Sequence, residues 1–190
     1  MAKTPQLVLA SASPRRRELL ESAGFRILVQ PQGVDETVLS NEKPRSYARR
    51  VALEKAQACS PEASQVVLAA DTVVAFENEI LGKPEDDEHA FRILSTLSGQ
   101  IHYVHTAVVV LGIEQLVDVV TTQVQFRKLS DADIQRYINT GDGRDKAGSY
   151  GIQSKGGWLV DKVTGCYTNV VGLPLPRTIE LLGQCGVRHD

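Results

Sequence analysis

The chain alternates short, nearly continuous apolar runs with stretches of helical spacing, and that alternation predicts most of its elements. "QLVLAS" reads as a buried strand feeding directly into "SPRRRELLESAG", a helix from Ser13 to about Ala23 that is stopped by Gly24. "FRILVQP" is a second strand. After the polar stretch "GVDETVLSNEKP", the segment "RSYARRVALEKAQAC" places Ala48, Val51, Ala52, Lys55 and Cys59 on one helical stripe. "QVVLAADTVVAF" is a long apolar strand of the kind covered on both faces, and "FENEILGKP" is its turn and short return strand.

"DDEHAFRILSTLSG" predicts a helix with Asp86 and Asp87 well placed in its first turn. "IHYVHTAVVVL" and "LVDVVTTQVQF" are β-branched runs joined by "GIEQ" into a hairpin. "SDADIQRYINTG" is a helix capped by Ser130 and closed at Gly141, "WLVDKV" and "YTNVVG" predict two further strands, and "LPRTIELLGQCG" is a final helix. The stretch "DGRDKAGSYGIQSKGG" is either a flexible loop or part of a site. Crossovers mixed with a hairpin predict an α/β fold, a mixed twisted sheet with helices on its faces, in a single domain over residues 1–190.

Composition narrows the function by exclusion. A chain of 190 residues that is 42% hydrophobic can bury one real core. Its net charge of −2 and pI near 6.1 lack the basic excess of a protein that binds nucleic-acid polymers. No run approaches the roughly 20 apolar residues of a membrane span, and the opening stretch lacks a secretory pattern. The expectation is a cytoplasmic protein with neither membrane nor nucleic acid as partner. Cys59, Cys166 and Cys185 lie far apart with no C-x-x-C spacing, which indicates neither a zinc cage nor a disulfide framework. His102 and His105 stand three apart on a predicted strand and face opposite ways, which argues against a two-histidine metal site there.

Candidate chemistry comes from residues that break local rules. Arg15 and Arg16 occupy the first turn of a helix, where the macrodipole repels cations, and their i+4 partners are the core-facing Leu19 and Leu20. Only Arg17 has an acidic partner by spacing, Glu21. Two inward arginines beside Ser11 and the free N–H groups of a helix start make a site matched to a polyphosphate, whose charge offsets the repulsion; arginines paired with distant carboxylates are the alternative. Asp71 puts a carboxylate in the middle of an apolar strand, which requires a partner. Lys83, brought close by the hairpin, and a divalent cation are the candidates, with a purely structural Asp–Lys pair as the alternative.

Lys55 lies on the apolar stripe of its helix and either snorkels outward or reaches into a cavity. Glu36 follows a strand in a polar connection and can join Asp71 at Mg²⁺ through oxygen ligands, with Asp35 as its competitor. In "DKAGSYGIQ" the glycines permit close backbone approach to a ligand, while Lys146 and Gln153 offer charge and a base-reading amide. Walker and Rossmann glycine motifs are both missing. The pattern describes a metal-assisted phosphoryl site for a small anionic substrate.

Nine motifs in this order, "LASASPRRRELL", "VDET", "LEKA", "AADTVV", "LGKP", "LSGQIHYVHTAV", "VQFRKLSDADIQRYI", "DKAGSYGIQ" and "NVVGLPL", resemble the Maf family of nucleotide pyrophosphatases from about Leu7 to Leu182. The resemblance implies a fold like that of inosine triphosphate pyrophosphatases, an elongated mixed sheet dividing two lobes with the active site in the cleft between them. It implies hydrolysis of nucleoside triphosphates to a monophosphate and pyrophosphate with a divalent cation, Mg²⁺ or Mn²⁺. Asp71 then matches the catalytic acidic residue and Glu36 a metal-associated acid. Ser11, Arg15, Arg16, Lys55 and Lys83 match phosphate-handling positions.

Arg15, Thr72 and Gln153 match the branch that prefers dTTP and UTP, in which Thr72 and Gln153 read the pyrimidine edge; the branch acting on 7-methyl-GTP carries tryptophan, glutamine and glutamate near those places. Ser149 and Ser154 depart from the family, standing where alanine and glycine are usual, and Ser154 beside Gln153 bears on base preference. The family also implies a homodimer and an association with arrest of septum formation, so a regulatory protein is the competing class. An inosine triphosphate pyrophosphatase of similar fold is the competing enzyme.

Overall fold

The computed structural model describes residues 5–189. Its centre is one seven-stranded mixed sheet of β1 (Gln6–Leu9), β2 (Ile27–Val29), β3 (Gln65–Phe76), β4 (Glu79–Leu81), β5 (Ile101–Leu111), β6 (Gln115–Phe126) and β7 (Val160–Thr164), in the order β2-β1-β3-β5-β6-β7 with β4 paired to β3. β1, β2 and β3 run parallel, whereas β5 to β7 form an antiparallel meander beside β3. The β3–β4 turn has φ of 48° at Glu77 and 71° at Asn78, the left-handed pair that a tight two-residue hairpin requires. The helices are α1 (Pro14–Ser22), α2 (Pro44–Ala58), α3 (Asp87–Leu97), α4 (Asp131–Ile138), α5 (Tyr167–Val171) and α6 (Leu175–Gln184).

Alternation along β3 sorts the core. Val67, Ala69 and Val73 pack with Ala48, Ala52 and Ala56 of α2 on one face. On the other face, Val66, Leu68 and Ala70 join Leu20 of α1 and Leu181 and Leu182 of α6, while Val74 joins α3 and α4 residues such as Leu94 and Ile134. These two clusters on the second face meet at a polar line. Thr72 and Thr106 are register partners whose hydroxyls lie 3.0 Å apart, and Thr106 donates to Asn169 O at 3.0 Å.

Most predicted elements are present, including the Ser13 and Ser130 caps and the Arg17–Glu21 pair at 2.9 Å. "YTNVVG" is the exception, since it forms the helix α5 and not a strand. Its valines favour a strand only on intrinsic propensity, and tertiary bonds decide otherwise. Asn169 Nδ2 donates to Val104 O and Thr122 Oγ1, Thr168 Oγ1 accepts from Leu175 N, and Gly172 ends the turn at φ 133°. "DGRDKAGSYGIQSKGG" is not a free loop: it folds into turns that close one wall of the cleft. Among the described residues no helix is long and apolar enough to cross a membrane.

Candidate active site

The cleft exists because β3 is longer than its neighbours on one edge. Its first residues, Gln65–Leu68, pair with β1, and its last, Val74–Phe76, pair with β4. Between them the edge is open among the described residues, and β3 is held there by β5 alone. Asp71 and Thr72 lie at the middle of this notch, and a cavity of about 780 Å³ opens over it. Ser11, Arg15, Arg16, Glu36, Lys55, Asp71, Thr72, Lys83, Lys146 and Gln153 all line that cavity, so residues scattered over most of the chain converge on one place.

The two arginines divide the work. Arg16 is 8% exposed and its fork is fully engaged: Nε donates to Gly172 O at 2.8 Å, one terminal nitrogen to Ser11 Oγ at 3.0 Å and the other to Thr72 Oγ1 at 3.0 Å. Burial lowers its pKa, with the nearby Asp71 charge acting against that. Arg16 therefore ties α1, β3 and the turn after α5 together, and Thr72, whose hydroxyl it holds, is part of the same seam. Arg15, half-buried on the cleft wall, carries the guanidinium left for a ligand at the start of α1.

On the α2 side, Lys55 reaches inward as one of its two expected courses. Its Nζ lies 2.8 Å from Asp71 Oδ1 and 2.7 Å from Glu36 Oε1. Asp71 is thus paired with Lys55 and not with Lys83, the partner the hairpin suggested. Its side chain points to the face covered by α2, whereas the strand leading to Lys83 runs along the sheet edge. Burial raises the Asp71 pKa above the usual aspartate value, although Lys55 and Arg16 oppose it. Burial also pushes Glu36 up, but the hydrogen bond and charge of Lys55, helped by Lys83 and Arg16, prevail and hold it below the ordinary glutamate value. The two carboxylates are thereby split: one stays ionised and the other is moved towards the pH at which a base works.

Glu36 sits in a connection without regular structure, and α2 fixes it. Tyr47 OH donates to Glu36 O at 2.9 Å, and Arg50 donates to Thr37 O at 3.0 Å and to both Glu42 carboxylate oxygens at 2.7 and 2.8 Å. Asp35, the competing acid, accepts from Thr37 N at 2.9 Å and does not line the cavity. Among the described residues no group of three or more His, Cys, Asp or Glu could hold a metal. Two convergent carboxylates still suit Mg²⁺, which is commonly held by one or two carboxylates with the substrate's phosphates supplying other oxygens. The opposite wall carries Asp142, held from behind by the buried Tyr137, and the sequence singled out neither: Tyr137 sits on an amphipathic helix and Asp142 between two glycines, both ordinary places for those residues.

A family model described as "Maf-like protein" matches residues 6–185. The chain belongs to the Maf family. This Maf chain is 52% identical over 188 residues to a protein of Anaeromyxobacter dehalogenans (strain 2CP-C) named dTTP/UTP pyrophosphatase, covering 96% of this chain and 95% of that one. It is 48% identical over 192 residues to a protein of Shewanella sp. (strain MR-7) with the same name, covering 96% and 99%. A HAM1 protein from Coxiella burnetii is similar in structure, with a TM-score of 0.54 at 14% identity over 95% of this Maf chain and 99% of that one. At that identity the likeness is one of fold, and it agrees with the mixed sheet and flanking helices expected here.

Proposed function

We propose that this Maf protein is a nucleoside triphosphate pyrophosphatase of nucleotide-pool sanitation, hydrolysing dTTP and UTP, and modified pyrimidine triphosphates, to the monophosphate and pyrophosphate. One observation carries the reading. The Asp71–Lys55–Glu36 chain and the arginine-bearing start of α1 line one cleft, which brings a general base and an anion seat together. The relatives named above, alike over nearly the whole chain, support the substrate class.

In this mechanism the triphosphate lies along Ser11, Arg15 and the N-terminus of α1, with Lys83 lining the same cavity near Glu36. Asp71 takes a proton from the attacking water, which bonds to the α-phosphorus as the link to the β-phosphate breaks. The cationic groups stabilise the charge that grows on the departing pyrophosphate. Lys55 holds Asp71 in place and opposes the rise in its pKa that burial causes. Glu36 and Asp71 would hold a divalent cation, Mg²⁺ or Mn²⁺, which when bound neutralises phosphate oxygens and orients them. Gln153, which lines the same cavity, would read the base edge through its amide, while the Thr72 hydroxyl, engaged by Arg16, Thr106 and Gly172, would support that edge by fixing the seam and not as a free donor. The protein works in the cytoplasm, as a homodimer.

Pyrophosphate release from dTTP, UTP, CTP, ITP and 7-methyl-GTP, with Mg²⁺, Mn²⁺ or EDTA, tests this. The expected result is cleavage of dTTP and UTP that EDTA abolishes and that Asp71→Asn lowers by about 10²–10⁴-fold. Five intact nucleotides would overturn the enzymatic reading in favour of a regulatory binding pocket, and a preference for ITP would point to the inosine-type enzyme.

A further inference from the structure

Helix α2 works with two of its faces. Ala48, Val51, Ala52 and Lys55 form the buried stripe against the sheet, and Lys55 continues from it to Asp71. Tyr47, Arg50 and Glu54, at spacings of three and four, form a second stripe whose first two members bond to the connection that follows β2. That connection, residues 30–43, carries Glu36 and has no helix or strand of its own, only a turn at Ser40 and Asn41, where Asn41 has φ of 58°. Nothing in its own backbone fixes the Glu36 carboxylate beside Lys55, yet the two charged groups lie 2.7 Å apart.

The order comes from side-chain bonds gathered around Glu36. Tyr47 OH donates to Glu36 O at 2.9 Å, one terminal nitrogen of Arg50 donates to Thr37 O at 3.0 Å, and Thr37 N donates to Asp35 Oδ1 at 2.9 Å. The same terminal nitrogen and Nε of Arg50 also grip Glu42 in a two-pronged pair, at 2.8 Å to Oε2 and 2.7 Å to Oε1. Glu42 Oε2 accepts from Leu39 N at 3.1 Å, and Glu42 N donates to Leu39 O at 3.0 Å, so the turn closes on the carboxylate that Arg50 holds. The remaining terminal nitrogen of Arg50 reaches the Glu54 carboxylate at 3.2 and 3.3 Å, and the guanidinium carbon lies 5.5 Å from the Tyr47 ring centre.

Tyr47, Arg50 and Glu42 stand outside the cavity wall, so their path to the chemistry runs through Glu36. Arg50 and Lys55 belong to one helix, and the place of Glu36 relative to Lys55 is therefore set by a rigid spacing and not by the connection's own backbone. Misplacing a working group by about 1 Å can cost about a hundredfold in rate. A half-exposed carboxylate on an irregular segment is more open to such displacement than Asp71 within β3.

We propose that Arg50 is a positioning residue for the reaction in the cleft. Its fork, acting through Thr37 O and Glu42, holds the main chain of the connection so that the Glu36 carboxylate stays against Lys55. The inference rests on the reading of the cleft as a hydrolytic site in which Glu36 takes part. It gives Glu42 and Tyr47 the role of supports for the same acid.

The experiment measures kcat/KM for UTP in the full chain and in Arg50→Met, Arg50→Lys and Glu42→Gln, each alone and combined with Glu36→Gln. Tm is recorded for each, and in the proteins that retain Glu36 so is the rate at which a glutamate-specific protease cuts after it. Arg50→Met should lower kcat/KM about ten- to a hundredfold when Glu36 is present. In the Glu36→Gln background, where no carboxylate is left to position, the loss should stay within about twofold. Arg50→Lys keeps the charge but loses the fork, and should follow Arg50→Met. Cutting after Glu36 should rise about fivefold or more in Arg50→Met, as one lost hydrogen bond implies. Glu42→Gln keeps Arg50 and removes the charge it grips, so it carries the same test if Arg50→Met folds poorly.

Equal losses in the two Glu36 backgrounds, or faster proteolysis with an unchanged kcat/KM, overturn the proposal, because Arg50 would then act on the fold and not on Glu36. An Arg50→Lys protein that matches wild type overturns the role given to the fork. A wild type that cleaves neither UTP nor dTTP overturns the functional reading first, and is seen before any variant is compared.

Discussion

Lys55→Met probes the coupling at the centre of the cleft. The Lys55 and Asp71 side chains are 11% and 10% exposed, and their charged atoms lie 2.8 Å apart. Methionine keeps the length of the stem and removes the charge and its donors. Removing one member of a buried ion pair costs about 3–5 kcal/mol because the other charge is left alone. Here Glu36 is 50% exposed and the cleft admits water, which reduces the expected loss to about 1–3 kcal/mol. For a chain of this size that is a fall of roughly 3–10 °C in Tm.

The same change should be visible in the kinetics. Lys55 contributes the largest effect opposing burial at Asp71, so without it the Asp71 pKa moves further up. Asp71 acts as base only when ionised, and the acid limb of kcat/KM therefore shifts to higher pH. In an Asp71→Asn background only the half-exposed Glu36 carboxylate loses its partner, and Lys55→Met should cost less there, leaving a coupling of about 1–3 kcal/mol in the double-mutant cycle. Urea unfolding of the four proteins and a pH profile of the two active ones provide the data. Additive stability losses together with an unmoved acid limb would refute the reasoning.

Four further outcomes are expected. Asp71 has a raised pKa in the fold, so its stabilising contribution is full below the unfolded value and is lost as pH rises through the folded one; whatever the loss of the Lys55 pair costs, the stability difference between Asp71→Asn and wild type should shift in the variant's favour as pH rises above about 4, read from denaturation midpoints at several pH values. Ser149 Oγ is buried without a partner among the described residues, so Ser149→Ala should raise stability by about 1 kcal/mol in urea unfolding. Arg16→Lys cannot span Gly172, Ser11 and Thr72 and should lower Tm, whereas Arg15→Lys should raise KM for the triphosphate and leave Tm nearly unchanged. Gly143→Ala places a Cβ 2.1 Å from Ser149 O, which forces the backbone of the Lys146 loop to move; thermal melts should show a loss of about 2 kcal/mol or more.

The parts of the site that were legible in the sequence are those that violate a local rule. Asp71 in an apolar strand, Lys55 on an apolar stripe and two arginines at a helix start each demand a distant partner, and the fold supplies one cleft for all of them. Which partner goes with which was not legible, because pairing depends on the face a side chain takes relative to α2. Asp142 and Tyr137 obeyed every local rule and so gave no signal. The helix at "YTNVVG" was hidden for a related reason: its conformation is set by Asn169 and Thr168 bonding to strands and turns far away in sequence.

The polar line of Thr72, Thr106 and Asn169 has a consequence for how the molecule moves. On that face the apolar clusters on either side of the line share little beyond Leu19, which packs against both. Cooperative unfolding units tend to end where contiguous apolar packing ends. The α3–α4 half and the α1–α6 half are then expected to open as separate units, with the β3 and β5 backbones running through both. Hydrogen exchange should therefore resolve two protection levels on that face, one for each apolar cluster, with the Thr72, Thr106 and Asn169 hydrogen bonds at the border between them.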